Sequence, residues 1–302
     1  MFNVILWAGS SIGQAIIGGA LAWAVGQLLL PPVLQALQKG GAERKNYCGE
    51  LIPTAGGLAI VFATVSVIAL TGMAGHPLTG VFLFVFLGFA LLGLLDDWIG
   101  LNGPRGWRGH LGYLRAGEIS SGTLKMLGGG LLGIGAALAL PLSLVTLIPA
   151  AAVIALFANT CNLLDLRPGR CLKVALIFCI LLLLGDMDNL GFLAPLCGAL
   201  LAFLPYDLAR RAMLGDCGAN AVGAGIGLAA VVSMTPVLIG VLAISLLVFN
   251  LYCEKHSFSV AVRNNSFLAM IDAWGGNGEK MRALPEGENS TSQGGKDGAV
   301  EN

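Results

Sequence analysis

Charge is scarce in this sequence. Only 11% of its 302 residues are Asp, Glu, Lys or Arg, against roughly 25% in soluble domains. All four types are absent from residues 3–38, 51–95, 126–164 and 217–253. Each of these runs exceeds the ~20 apolar residues a spanning helix needs. With 56% hydrophobic residues and a mean hydropathy of +0.81, a soluble globular domain is excluded. Strand-period alternation is lacking as well, which excludes a membrane β-barrel. An excess of either charge sign is also missing. The 17 Lys and Arg balance the 17 Asp and Glu, so no nucleic-acid partner is implied. The seven Cys form no CxxC pair and no zinc spacing, and lie mostly in apolar segments, where they read as small buried hydrophobes. The N-terminus has no basic region and no clear cleavage site, so residues 4–28 are expected to be a retained helix.

What is present is an all-α, polytopic membrane protein. The pattern predicts nine helices, at about residues 4–28, 54–74, 79–97, 122–140, 144–163, 171–185, 190–207, 217–233 and 235–253. All 17 Lys and Arg follow an odd-numbered helix, and the even connections carry none. Basic residues mark the cytoplasmic side. The odd connections and the tail are therefore expected in the cytoplasm, with the N-terminus outside. Residues 1–256 read as a single transmembrane domain. Residues 257–283 include an amphipathic stretch, 257–274, that would lie at the interface or form a loop. Residues 284–302 are polar, Gly-rich and without aromatics, a composition that predicts disorder. Trp98 and Trp107 suit interface anchors.

The polar residues that look misplaced gather on that same expected cytoplasmic face. Asp96 and Asp97 end the third helix, and two adjacent carboxylates at the end of an apolar run need a cation, a buried partner or a chemical role. Asn159, Asn162 and Asp165 end the fifth helix at three-residue spacing, which puts them on one helical face. Asp207 and Asp216 lie between the seventh and eighth helices, and His256 follows the ninth. Carboxylates and amide oxygens beside Lys and Arg suit a hard cation such as Mg²⁺ together with a polyphosphate. Arg167 and Arg170 in "DLRPGR" could each clamp a phosphate. "LGDCGANAVGAG" (214–225) reads by itself as an Asp helix start followed by small residues for close packing. "PTAGG" (53–57) reads as a turn whose backbone a phosphate could approach.

In order, "IPTAGGLAI" (52–60), "GLLDDWIG" (93–100), "NTCNLLD" (159–165) and "MLGDCGANAVGAGIG" (213–227) resemble the polyprenyl-phosphate N-acetylhexosamine-1-phosphate transferase family. The resemblance spans roughly residues 40–260. It implies transfer of a sugar-1-phosphate from a UDP-sugar to polyprenyl phosphate at the cytoplasmic leaflet of the plasma membrane, with release of UMP and a requirement for Mg²⁺. It assigns Asp96 and Asp97 to the acceptor lipid phosphate or to a base, and Asn162 and Asp216 to the metal and diphosphate. Asp165 becomes a nucleotide-side acid, and Lys125 the Lys that follows the acidic pair. Asn159, Arg167, Arg170 and His256 fall at the substrate. The partners expected are the polyprenyl lipid, the UDP-sugar and the membrane, and a homodimer is compatible with the reading. The chain also departs from the family. Pro168 stands where the peptidoglycan branch has a second Asp, its His-rich loop is reduced to His256, the third connection is longer, and the tenth helix is missing or reduced. These departures argue against the pentapeptide enzyme of that branch and leave the sugar open. Two other functions remain at this point: a relative that binds lipid-linked precursors without catalysis, and a transporter.

Overall fold

A computed structural model describes residues 11–99, 120–256 and 258–274, together with residues 109, 112–113 and 115–118. Nine helices of 14 residues or more occur among them. They are α1 (Ser11–Lys39), α2 (Leu58–Thr71), α3 (Pro77–Ile99), α4 (Ser121–Leu138), α5 (Leu144–Leu164), α6 (Arg170–Gly185), α7 (Leu193–Leu208), α8 (Gly215–Ser233) and α9 (Pro236–Lys255). Two short helices follow, α10 (Phe258–Arg263) and α11 (Ser266–Ala273). Five of the nine, α1, α3, α5, α8 and α9, are long and apolar enough to cross a membrane, while α2 and α7 are shorter apolar helices. The expected disorder of 284–302, and the expected anchor Trp107, lie outside the described residues.

Local chemistry explains several boundaries. The hydroxyl of Ser120 accepts from the Thr123 backbone N–H (3.1 Å) and starts α4. Ser143 does the same for α5 through Thr146 (3.3 Å). Each satisfies one of the four N–H groups that a helix start leaves unpaired. Helix α9 opens with Pro at its first position, where the missing N–H costs nothing. The first helix differs from expectation. It runs through Pro31 and Pro32 to Lys39 instead of ending near residue 28. Leu30 and Leu34, on either side of the prolines in successive turns, are buried at 1% and 8% exposure, so packing holds the turn that proline alone would weaken.

The long connection after α1 also differs from an irregular loop. It folds as an antiparallel hairpin of β1 (Glu43–Lys45) and β2 (Leu51–Pro53), with Arg44 opposite Ile52. Past β2 the chain is bonded to the segment before α8. Met213 N–H donates to the Pro53 carbonyl (2.9 Å), and the Gly56 and Gly57 N–H groups donate to the carbonyls of Met213 (3.0 Å) and Leu214 (2.9 Å). The two "PTAGG" glycine N–H groups that a phosphate would have approached are thus already used by the protein.

Helix α8 is the axis of the bundle. Within its membrane-length window 89% of the residues are buried, against 11% for α9. It packs on α3 and α5 along most of its length and touches α2 and α6; α1, α2 and α7 form a second group, and α9 leans on α5. Its Gly- and Ala-rich sequence makes this possible, since small residues let helix backbones approach closely in a membrane. At Gly57 a Cβ would stand 2.2 Å from the Gly218 Cα, and at Gly93 one would stand 2.2 Å from the Asp216 carbonyl oxygen. Gly93→Ala should therefore push α8 off α3, lower stability by about 1–3 kcal/mol and depress Tm in detergent solution. Gly80→Ala on the same helix, where a Cβ meets nothing within 4 Å, should leave Tm unchanged or slightly raised.

Candidate active site

Four helix ends converge on one ammonium group. Asp96 lies in the last turn of α3, Lys125 in the second turn of α4, Asn162 in the last turn of α5 and Asp216 in the first turn of α8. Lys125 Nζ donates to Asp96 Oδ2 (3.4 Å) and to Asp216 Oδ2. With the Asn162 amide oriented to satisfy both of its neighbours, its nitrogen donates to Asp216 Oδ1 (2.8 Å) and its oxygen accepts from Lys125 Nζ (2.9 Å). A Lys ammonium has three N–H donors, and all three point at oxygen here. The side chains of Lys125, Asp96 and Asp216 are 17%, 21% and 23% exposed, so the cluster is sheltered yet open to the cleft below. Two carboxyl groups thus share one ammonium.

The adjacent acids have separate surroundings. Asp97 is 8% exposed. Its Oδ2 accepts from the Cys217 N–H (3.0 Å), and the Thr54 hydroxyl donates to its Oδ1 (3.4 Å). Arg44 from the hairpin donates to the backbone carbonyl of Asp97. A carboxylate at the first turn of α8 meets unpaired N–H groups and the positive end of the helix dipole. Asp97 thus caps α8 from α3, while Asp96, next in sequence, faces Lys125.

Beneath the ion cluster lies a cleft of about 740 Å³ between α3, α4, α5, α8 and α9. Its lining changes with depth. At the top are Asp96, Lys125, Asn162 and Glu254. About one turn further in are Asn159, Asn220 and Asn250. Beyond them the lining is apolar, including Phe89, Leu156 and Leu247. Asn159 donates to Asn250 Oδ1 (2.6 Å), and Asn250 in turn donates to Thr160 Oγ1 (2.9 Å) and to the Leu246 carbonyl (2.7 Å).

The remaining expected residues lie elsewhere. Asp165 accepts from the Gly215 N–H (3.1 Å); burial, and next the nearby Asp207 carboxylate, push its carboxyl well above the ordinary range. With Arg167, Arg210 and Tyr47 it lines a separate pocket of about 30 Å³. Arg167 stacks over the Tyr47 ring at 4.3 Å. Arg170 faces neither pocket. It is 7% exposed and forms a two-pronged pair with Asp272 (2.7 and 2.8 Å), with Ser259 at 3.3 Å and the Phe258 ring at 5.3 Å. The guanidinium expected at a substrate phosphate is thus engaged by α10 and α11 in this structure. His256 sits at the exposed end of α9, 5.0 Å from the Tyr252 ring, and does not line the cleft. Sequence reasoning missed Asn220, Asn250 and Glu254. Their signal was a polar side chain inside, or at the end of, an otherwise apolar helix.

Comparison with known proteins places these residues in context. The sequence profile of glycosyl transferase family 4 matches residues 78–235, a stretch that includes Asp96, Lys125, Asn162 and Asp216. The phospho-N-acetylmuramoyl-pentapeptide-transferase of Moorella thermoacetica is 34% identical over 248 residues, 74% of this chain and 76% of the relative. That of Heliobacterium modesticaldum is 30% identical over 251 residues, with the same coverage.

Two outcomes follow from the geometry. Asp97→Asn keeps one acceptor oxygen where two are used, and should cost about 1–3 kcal/mol, read as a lower Tm; Asp96→Asn, partly exposed, should lower Tm less. Arg170→Ala should release α10 and α11, and limited proteolysis within residues 258–274 should speed up while the nine-helix bundle stays intact.

Proposed function

The chain belongs to glycosyl transferase family 4, and on that premise we propose that it is a multi-pass membrane transferase that moves a sugar-1-phosphate from a UDP-sugar to polyprenyl phosphate. The observation that carries this reading is the Asp96–Lys125–Asn162–Asp216 cluster at the mouth of a cleft that turns apolar with depth. Phosphates would sit at the ionic end and an isoprenoid chain along the apolar one. The names of the two relatives support a phosphosugar donor. Both relatives are named for a pentapeptide-bearing substrate, whereas Pro168 and the single His of the connection after α9 argue against that donor here and leave the sugar open. The separation of all 17 basic residues onto the odd connections supports a plasma-membrane protein whose cluster opens to the cytoplasm. The reaction would begin assembly of a cell-envelope glycan.

The residues suit Mg²⁺. No group of three or more His, Cys, Asp or Glu among the described residues could hold a metal ion. Mg²⁺ ordinarily takes one or two carboxylates and completes its shell with substrate phosphates and water. Asp216 and Asn162 would hold it, with Asp96 alongside. When bound it supplies neutralisation of the diphosphate charge.

The step is a displacement at phosphorus. An oxygen of the polyprenyl phosphate forms a bond to the β-phosphorus of the donor, and the bond from that phosphorus to the bridging oxygen breaks. UMP leaves with the electron pair. The acceptor phosphate is largely ionised at neutral pH, so no strong base is needed. Lys125 would donate to the non-bridging oxygens as charge builds, and Asp96 would keep its ammonium aimed at them. Asp97 acts at one remove by holding α8, and with it Asp216, in place.

The assay uses purified protein with undecaprenyl phosphate, Mg²⁺ and a panel of UDP-N-acetylhexosamines, and reads UMP release. The wild type should turn over one or more donors, EDTA should stop it, and Asp216→Asn or Lys125→Met should reduce the rate by about 10²–10³-fold. No UMP with any donor, from protein that remains folded, would reject the transferase and favour a relative that only binds lipid-linked precursors.

A further inference from the structure

Asn220 lies on α8 one helical turn beyond Asp216, lines the 740 Å³ cleft and is 1% exposed. Neither its amide nitrogen nor its amide oxygen has a hydrogen-bond partner within the protein. Among the described residues it is the one carboxamide left buried with both ends unpaired. Its two amide neighbours in the same layer are in a different state. Asn159 and Asn250 bond to each other, and Asn250 also bonds to α5 and to its own helix. Buried polar side chains are nearly always hydrogen-bonded, and an unpaired one asks for an explanation. Structure supplies none here. The flanking positions of α8 are Ala219, Ala221 and Val222, and an apolar residue at 220 would pack without the penalty of an unpaired amide.

The chemistry of the vacant partners narrows what could fill them. An amide offers two N–H donors and one acceptor oxygen. An isoprenoid chain would use neither. A phosphate would use the donors and leave the oxygen facing negative charge. A neutral ring bearing hydroxyl or acetamido groups uses both, since each of those groups donates and accepts. The position agrees. The charged groups are one turn nearer the mouth, about 5.4 Å along the axis, and a sugar joined to a phosphate held there would reach this layer. We propose that Asn220 is the residue that recognises the neutral sugar ring of the donor. This rests on the UDP-sugar reading above and deepens it, giving the cleft a charged layer for phosphate and an amide layer for sugar.

Binding isotherms in the presence of Mg²⁺ test it, with UDP, a UDP-hexose and a UDP-N-acetylhexosamine on the wild type, Asn220→Leu and Asn220→Ala. The wild type should bind a sugar-bearing nucleotide about tenfold more tightly than UDP. Both variants should lose that increment and keep their affinity for UDP, which also shows that they are folded. An increment with both sugars assigns ring hydroxyls as the group read; one confined to the N-acetylhexosamine assigns the acetamido group. An increment that survives in both variants overturns the proposal and leaves the transferase standing. So does an equal loss for UDP and UDP-sugars in both variants, or a loss of polyprenyl phosphate binding in place of sugar binding. A wild type that binds no uridine nucleotide at all removes the donor reading and this inference with it.

Discussion

The arrangement depends on how the start of α8 is seated against the end of α3. Gly93 removes the side chain that would collide with the Asp216 carbonyl, and Asp97 accepts the Cys217 N–H. One contact is steric and the other electrostatic, and they act within the same turn. Together they fix the direction in which the Asp216 side chain leaves the helix, and so its meeting with Lys125. The cluster is therefore a consequence of helix packing and not of the local chain around any one of its members.

The helical, membrane-spanning character was legible in the sequence because a charge-free run of membrane length has few other ways to satisfy its backbone, and five of the described helices have that length and character. The acids and amides at their ends were legible for the same reason: a polar group in such a run stands out. What could not be read was direction. Asp96 and Asp97 are adjacent, about 100° apart around a helix, and only the position of α8 decides which one faces the cleft and which one is buried. Arg170 was unreadable in a different way. Its partner, Asp272, is 102 residues away, in a segment whose pattern fitted a loop as well as a helix. The hairpin of β1 and β2 was hidden because its strands are three residues each and sit in a polar connection with no alternation to detect.

Asn220 shows the limit from the other side. In the sequence it is one polar letter in "GDCGANAVGAG", where a stripe of small residues explains everything around it. The depth of the residue, and the lack of any bond at either end of its amide, exist only in three dimensions. The same holds for Glu254 and Asn250, which look like ordinary end-of-helix residues until α9 lies beside α5 and turns them toward the cleft.

The hairpin bears on packing as well. Through bonds to residues 213 and 214, β2 and the turn after it tie the α1, α2 and α7 group to the start of α8. Helix α9, mostly facing outward, is held to α5 by side-chain contacts and by the Asn250 hydrogen bonds, and its inner edge forms one wall of the cleft. The cleft therefore has one wall backed by the bundle and one wall, α9, whose outer face is left to the surrounding lipid.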